Sequence, residues 1–216
     1  MNPLSEIAGV QYGLTDPSDV DEMAALLSTA FSQGDPIALA LGVTPVELEE
    51  LMRLYCPKAV AARLSVVARS AETGEMIGAL LTEDAGWASP SGIESVSRKF
   101  DPVLALLDQL YADDPQGTSP PQGTCLHLLW LGVARPFARR GVGQQLVASC
   151  LENGGRRGYR SAAVEASSRV SQHILRKQGF VERVRGSYRD FRFQDKAAFA
   201  SIEGHGGLLL MVKELA

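Results

Sequence analysis

Residues 131–146 read Leu-Gly-Val-Ala-Arg-Pro-Phe-Ala-Arg-Arg-Gly-Val-Gly-Gln-Gln-Leu, and they carry the clearest chemistry in the chain. An apolar strand runs into a basic, glycine-bearing turn, and the turn opens a helix. Glycines let backbone N–H groups approach a phosphate closely, and a helix N-terminus adds roughly half a positive charge. Arg135, Arg139 and Arg140 bring full charges to the same place. The pattern reads as a phosphate cradle. The competing reading is an ordinary strand–turn–helix with a solvated arginine face. The glycine spacing excludes two other phosphate loops. There is no GxxxxGK followed by Ser or Thr, and Leu146 stands where a dinucleotide-binding GxGxxG needs its third glycine.

Other reactive side chains are scattered. His127, His173 and His205 lie far apart, and no Cys or His pair has zinc spacing. Cys56, Cys125 and Cys150 are too few for a disulfide framework. Cys125 and Cys150 read as small core residues rather than nucleophiles. Trp87 and Trp130 read as core or pocket wall, and His173 and His205 as surface or packing residues.

The elements that must position these residues alternate between strand and helix. Val10–Leu14 reads as a strand, and a helix follows Asp16-Pro17 to about Phe31, broken over Ser32–Asp35. Thr44-Pro45-Val46-Glu47 is a capping box opening a helix that Pro57 is expected to stop. Leu64–Arg69 and Met76–Thr82 read as a hairpin. Ile93–Tyr111 is helical in pattern, kinked or restarted at Pro102, and Asp113–Gly123 is a loop. Cys125–Val133 reads as a strand buried on both faces. Helix Gly141–Gly154, strand Tyr159–Glu165, helix Val170–Gln178, strand-like Phe180–Phe193 and strand Leu208–Lys213 complete the chain. The class is α/β with a mixed sheet.

Composition bounds the rest. The 216 residues suggest one domain, 45% hydrophobic and 21% charged. Twenty-one basic against 25 acidic residues give a net charge of -4, which argues against nucleic acid and favours cationic ligands. No apolar run could span a membrane, and the first residues lack a signal-peptide pattern. The expectation is a cytoplasmic protein, monomer or homodimer, with a small-molecule partner.

The strand ending Leu131-Gly132-Val133, the basic turn, Arg139-Arg140-Gly141-Val142-Gly143 and the helix after it resemble the acetyl-coenzyme A signature of the GNAT acetyltransferases. Ile174-Leu175-Arg176-Lys177-Gln178-Gly179-Phe180 resembles the later "LYxKxGF" segment of that superfamily. A narrower resemblance, to insect-type arylalkylamine (dopamine) N-acetyltransferases, lies in Phe31-Ser32-Gln33-Gly34-Asp35-Pro36-Ile37, in Ser171-Gln172-His173 and in a tail from Tyr188 to Lys213. The resemblance implies one GNAT domain over residues 1–216, with a coenzyme-binding core at about 124–185 and a mostly antiparallel mixed sheet flanked by helices. It implies acetyl-CoA as acetyl donor. The backbone of Leu131, Gly132 and Val133 would pair with pantetheine, and N–H groups of Arg139, Arg140, Gly141, Val142, Gly143 and Gln144 would bind pyrophosphate. The chain departs from the pattern at Ala138, where Gln or Arg is usual. It departs again at Leu175, where many members place a tyrosine general acid.

Acetyl transfer to an amine requires that the ammonium lose a proton and that an oxyanion and a leaving thiolate be stabilised. Asp35 is the first candidate base, at the position of the insect-type family's catalytic carboxylate; the alternative is a turn cap. His127 is the second, where vertebrate arylalkylamine acetyltransferases carry a catalytic histidine. Strand alternation puts it on one face with Leu129, Leu131 and Val133, and an ordinary histidine pKa near 6.5 suits a base. The alternative is a satisfied core histidine. Ser167 and Ser171 would share a helix face if the helix starts early, and the insect-type family is thought to use two serines there; serines at a helix start are more often caps. The expected function is direct transfer of acetyl to a primary amine, an arylalkylamine or polyamine-like compound. Alternatives are a peptide N-terminus, an antibiotic amine, or a silent acyl-CoA-binding module.

Overall fold

The computed structural model describes residues 2–117 and 120–215. Eight strands form one sheet: β1 (Asn2–Ile7), β2 (Val10–Leu14), β3 (Val66–Ser70), β4 (Met76–Asp84), β5 (Cys125–Val133), β6 (Ser161–Ala166), β7 (Val181–Gly186) and β8 (Leu208–Glu214). Their order is β1-β2-β3-β4-β5-β6-β8-β7. Every neighbouring pair is antiparallel except β5 and β6, so the sheet is mixed and mostly antiparallel, as expected. Strand β1 has no counterpart in the sequence reading. It pairs with β2 through the two-residue turn Ala8-Gly9, both at positive φ, the geometry a tight hairpin requires.

Helices α1 (Val20–Gly34), α2 (Pro36–Leu41), α3 (Pro45–Ala61), α4 (Ile93–Val96), α5 (Asp101–Ala112), α6 (Val142–Arg156) and α7 (Arg169–Lys177) cover the sheet. The capping box at Thr44 and Glu47 forms as read, but α3 passes through Pro57 to Ala61. Pro57 removes one backbone hydrogen bond. Burial of Cys56, Ala59 and Val60 against β-sheet residues Val67 and Leu81 offsets that loss. The break after α1 is narrower than expected: Asp35 alone is extended, between Gly34 and Pro36. Residues 93–112 divide into α4, a short 3-10 turn and α5, with Pro102 in the first turn of α5. The strand expected to reach Phe193 ends at Gly186. The Ser187 hydroxyl donates to the Asp190 carboxylate and accepts the Asp190 backbone N–H there, turning the chain inward so that Tyr188, Phe191 and Phe199 bury together.

Two features of β5 shape the site. First, Leu81 faces Trp130 and Thr82 faces Leu128, so Leu129 is an extra residue in β5, a β-bulge. The bulge reverses the alternation expected from the sequence. Leu131 and Val133 pack with the α6 cluster, while Leu129 and Trp130 pack with α1 and α3, on the side that His127 shares. Second, β5 and β6 pair only at Cys125, Leu126 and His127, opposite Ser161, Ala162 and Ala163. Beyond those pairs the sheet forks, and Leu129, Trp130 and Leu131 are half-buried rather than covered on both faces.

On the α1 side, a Cβ placed on Gly132 would lie 2.9 Å from Leu27 Cδ2 and 3.1 Å from Ala30 Cβ. Glycine therefore lets α1, which ends at Asp35, press directly on β5. Gly132→Ala is expected to lower the unfolding free energy in urea by about 1–3 kcal/mol through overpacking. A loss below about 0.5 kcal/mol, the range of indifferent surface changes, would show that this contact yields freely.

Candidate active site

Strand β5 runs through the 3-10 turn Arg135–Phe137 into α6. Arg139 (φ 62°) and Gly141 (φ 82°) both adopt left-handed backbone, which reverses the chain so that α6 starts directly beside the fork. No side chain caps α6. The amides of Val142, Gly143 and Gln144 are thus the uncapped first turn of a helix, a ready anion site. Arg140 lies over the Phe137 ring at 5.3 Å. Arg135, Arg139 and Arg140 take part in no salt bridge among the described residues. The residues present fit a pyrophosphate: free helix amides and three arginines share one turn, with the Glu72 carboxylate on the wall of the same hollow as Arg140 and Gly141.

On the opposite side of the sheet lies a cavity of about 470 Å³. Its walls include the aromatic rings of Phe31, Tyr55, Trp87 and Trp130 and the carboxylates of Asp35, Glu83, Asp108 and Glu165. Tyr55 and Trp130 meet edge to face at 5.0 Å, and Lys58 sits 4.2 Å over Trp87. Both tryptophans are pocket wall, as expected.

Asp35 ends α1 and caps α2, accepting the Ala38 N–H at 2.9 Å on Oδ1. Its Oδ2 accepts the hydroxyl of Ser167, a residue 132 positions away. Burial pushes the Asp35 carboxyl above the ordinary carboxylate range, against the hydrogen bonds from Ser167 and Ala38. Tyr188 donates to the Ser167 carbonyl at 2.8 Å and fixes the backbone there. The structure thus joins Asp35 with Ser167, but not with Ser171. Helix α7 begins at Arg169, so Ser167 lies outside it and shares no helical face with Ser171. Ser168 is the cap, and Ser171 completes a capping box with it, the two hydroxyls 3.0 Å apart. Leu175, at the usual tyrosine position, is buried in the core.

His127 is not placed as an isolated imidazole. Its Nε2 lies 2.8 Å from Glu165 and its Nδ1 3.3 Å from Glu83. Tyr111 donates to the other oxygen of Glu165. Burial opposes the charged ring, but the Glu165 and Glu83 carboxylates outweigh it and push the pKa up to about 10. The value near 6.5 assumed from sequence does not apply, because both ring nitrogens face carboxylates that favour the charged form. Burial would raise Glu165, but the His127 charge and the hydrogen bonds from His127 and Tyr111 hold it below its ordinary value.

The sequence pattern of the acetyltransferase (GNAT) family matches residues 47–180, more than half of the chain. The chain belongs to the GNAT acetyltransferase family. In fold this acetyltransferase is similar to arylalkylamine N-acetyltransferase 2 from Aedes aegypti, with a TM-score of 0.78, 16% identity, and coverage of 96% of this chain and 99% of that one. It is similar to the C-terminal condensation domain of Ebony in complex with beta-alanyl-dopamine (TM-score 0.83, 14% identity, 95% and 98% covered). It also resembles the polyamine N-acetyltransferase of Drosophila melanogaster, described as forming N-acetylagmatine (TM-score 0.73, 19% identity, 95% and 100% covered). At these identities the likeness is one of fold.

Sequence reasoning missed Glu83, Glu165 and Tyr111. One signal was available: Glu165 stands two residues before Ser167, the spacing that puts two side chains on one side of an extended chain. The Glu83–His127–Glu165 group makes the acetyltransferase sensitive to alkali. A histidine whose folded pKa is raised contributes stability that is fully present below about pH 6.5 and lost as pH rises through about 10. Glu165, lowered, contributes above its ordinary value of 4.5 and loses that contribution as pH falls. Urea unfolding between pH 6.5 and 10 should therefore lose stability with a slope of up to ~1.4 kcal/mol per pH unit, and His127→Gln should flatten it. Equal slopes in the two proteins would contradict this assignment.

Proposed function

We propose that this chain is an acetyl-CoA-dependent N-acetyltransferase that passes the acetyl group directly to a small primary amine, with an arylalkylamine as the preferred class. The observation that carries this reading is the arrangement around the fork. An uncapped, arginine-rich helix start lies on one side of the sheet, and a carboxylate-lined aromatic cavity lies on the other. The first suits an anionic donor. The second suits a cationic acceptor with an apolar body.

In this reading the N–H groups of Arg139 to Gln144, with the Arg139 and Arg140 side chains, hold the pyrophosphate. The backbone of Leu131, Gly132 and Val133 pairs with pantetheine along the open edge of β5. Acetyl-CoA supplies the thioester. Asp35, through Ser167 or a water beside it, takes the proton from the substrate ammonium, and its raised pKa suits that task. The Leu131 amide, just past the bulge, donates to the oxyanion as the amine attacks. As the tetrahedral intermediate collapses, the thiolate takes up the proton that the attacking nitrogen loses, relayed by water or by the Ser168–Ser171 hydroxyl pair, since Leu175 offers no donor. His127, with both nitrogens on carboxylates, is a weaker candidate for the base than Asp35.

Thiol release from acetyl-CoA should depend on an added amine, and tyramine or dopamine should outperform a peptide N-terminus. Coenzyme binding without turnover over a broad amine and peptide panel would favour the silent module, the reading that Leu175 keeps in play. Asp35→Asn should lower kcat by about 10²-fold or more, and a loss below threefold would remove Asp35 as the base. Gly141→Asp meets no atom within 4 Å of its new Cβ, but it places a side chain on left-handed backbone at φ 82°, a strain of about 1–2 kcal/mol that a folded domain can bear. It should abolish coenzyme A binding in calorimetry while the chain stays folded by circular dichroism. Retained affinity would refute the cradle.

A further inference from the structure

We infer that His127 is a positioning residue: its ring ties β4, β5 and β6 together where the sheet forks, and so sets the opening that receives the donor and the place of Ser167. The inference rests on the reading of the fork as the donor slot.

The geometry is specific. The last backbone pair between β5 and β6 is His127 with Ala163. Glu165 follows Ala163 by two residues and points to the same face of β6. The Nε2 link to Glu165 at 2.8 Å is thus a side-chain bond between the two strands beyond the end of the ladder. The Nδ1 contact to Glu83 crosses to β4, where Glu83 stands directly opposite His127 in register. The ring therefore spans three adjacent strands. Helix α5 closes the group from outside through the Tyr111 hydroxyl on Glu165. Only 12–18% of each of the three charged side chains is exposed, so water competes little with these bonds. The ionisable groups around the ring are Glu83 from β4, Cys125 from β5, Glu165 from β6 and Tyr111 from α5, with Tyr55 of α3 and Arg183 of β7 acting on the same carboxylates and hydroxyls.

This arrangement differs from that of a general base. A base needs a nitrogen lone pair facing the acceptor amine, and here both nitrogens face carboxylates. It also couples the two halves of the site. Ser167 follows Glu165 by two residues, just past the end of β6, and both line the cavity, so fixing Glu165 registers the hydroxyl that bonds Asp35. A shift of an ångström there is enough to cost much of the rate.

The first test uses the wild-type chain alone. Nitrogen-15 NMR of its three histidines, assigned with His173→Gln and His205→Gln, should show His127 doubly protonated and unchanged from pH 6 to pH 9. Titration near the ordinary histidine value would overturn the inference whether or not any variant folds. The second test compares His127→Ala and Glu165→Gln with wild type in coenzyme A calorimetry and in kinetics against a fixed amine. Both should weaken coenzyme A by about tenfold or more. Most of the loss in kcat/KM should fall in the KM for acetyl-CoA, and the acid limb of the kcat pH profile should keep its midpoint. Unchanged coenzyme affinity with a loss confined to kcat, or disappearance of the acid limb in His127→Ala, would make His127 the base and overturn the inference. A wild type that binds no coenzyme A would remove the functional reading itself. Variants that bind as tightly as wild type would remove only the positioning role.

Discussion

Backbone N–H and C=O groups in the middle of a sheet need partners, and between β5 and β6 the ladder ends after three residue pairs. The two strands are parallel, so the chain leaves both in the same direction. It enters the arginine-rich turn and α6 from β5, and Ser167, Ser168 and α7 from β6. Two helix N-termini and an unsatisfied strand edge are thereby gathered at one crevice, at the carboxyl ends of parallel strands where α/β sheets bind ligands. The antiparallel pairs on either side of the fork have no such opening.

The fork also separates charge. The overall balance of -4 hides two local fields of opposite sign. Arg135, Arg139 and Arg140 stand on the turn into α6, while Asp35, Glu83, Asp108 and Glu165 line the cavity. An anionic donor and a cationic acceptor would each meet an attracting surface, and each would be repelled from the other's subsite. The partly buried Glu83–His127–Glu165 group is built into the wall of the second. Breaking one partner of such a group leaves an uncompensated buried charge, so the same contacts that place the strands also tie stability to protonation.

How much of this could be read from the sequence follows the range of the interactions. The arginine-rich turn is local: strand, glycines, arginines and helix lie within sixteen residues, and the structure forms the strand, turn and helix that their spacing demands. The capping box of α3 is local too, and it forms. Pro57 misleads because its cost is local while the burial that outweighs it is not. The partners of His127 are 44 and 38 residues away, and that of Ser167 is 132 residues away. Nothing in the spacing of Glu83 marks it before the register is known, and Glu165 shows only its two-residue offset from Ser167. Burial then changes their chemistry: a histidine that looks like a base by its ordinary pKa is held as a cation by two carboxylates brought to it by the sheet.

The bulge at Leu129 shows how one extra residue divides a strand between two tasks. Strict alternation would put His127, Leu129, Leu131 and Val133 on one face, and the donor and acceptor subsites would compete for it. With Leu129 opposite no residue of β4, the phase reverses. His127, Leu129 and Trp130 then face the carboxylate cavity. Leu131 and Val133 face α6 and α7, within ordinary contact distance of a Cβ on Gly143. Gly132 falls on the α1 side, where any larger residue would strike Leu27 and Ala30. The glycine is therefore a consequence of the reversed phase, since at that register α1 must pass close to β5 to carry Asp35 to Ser167.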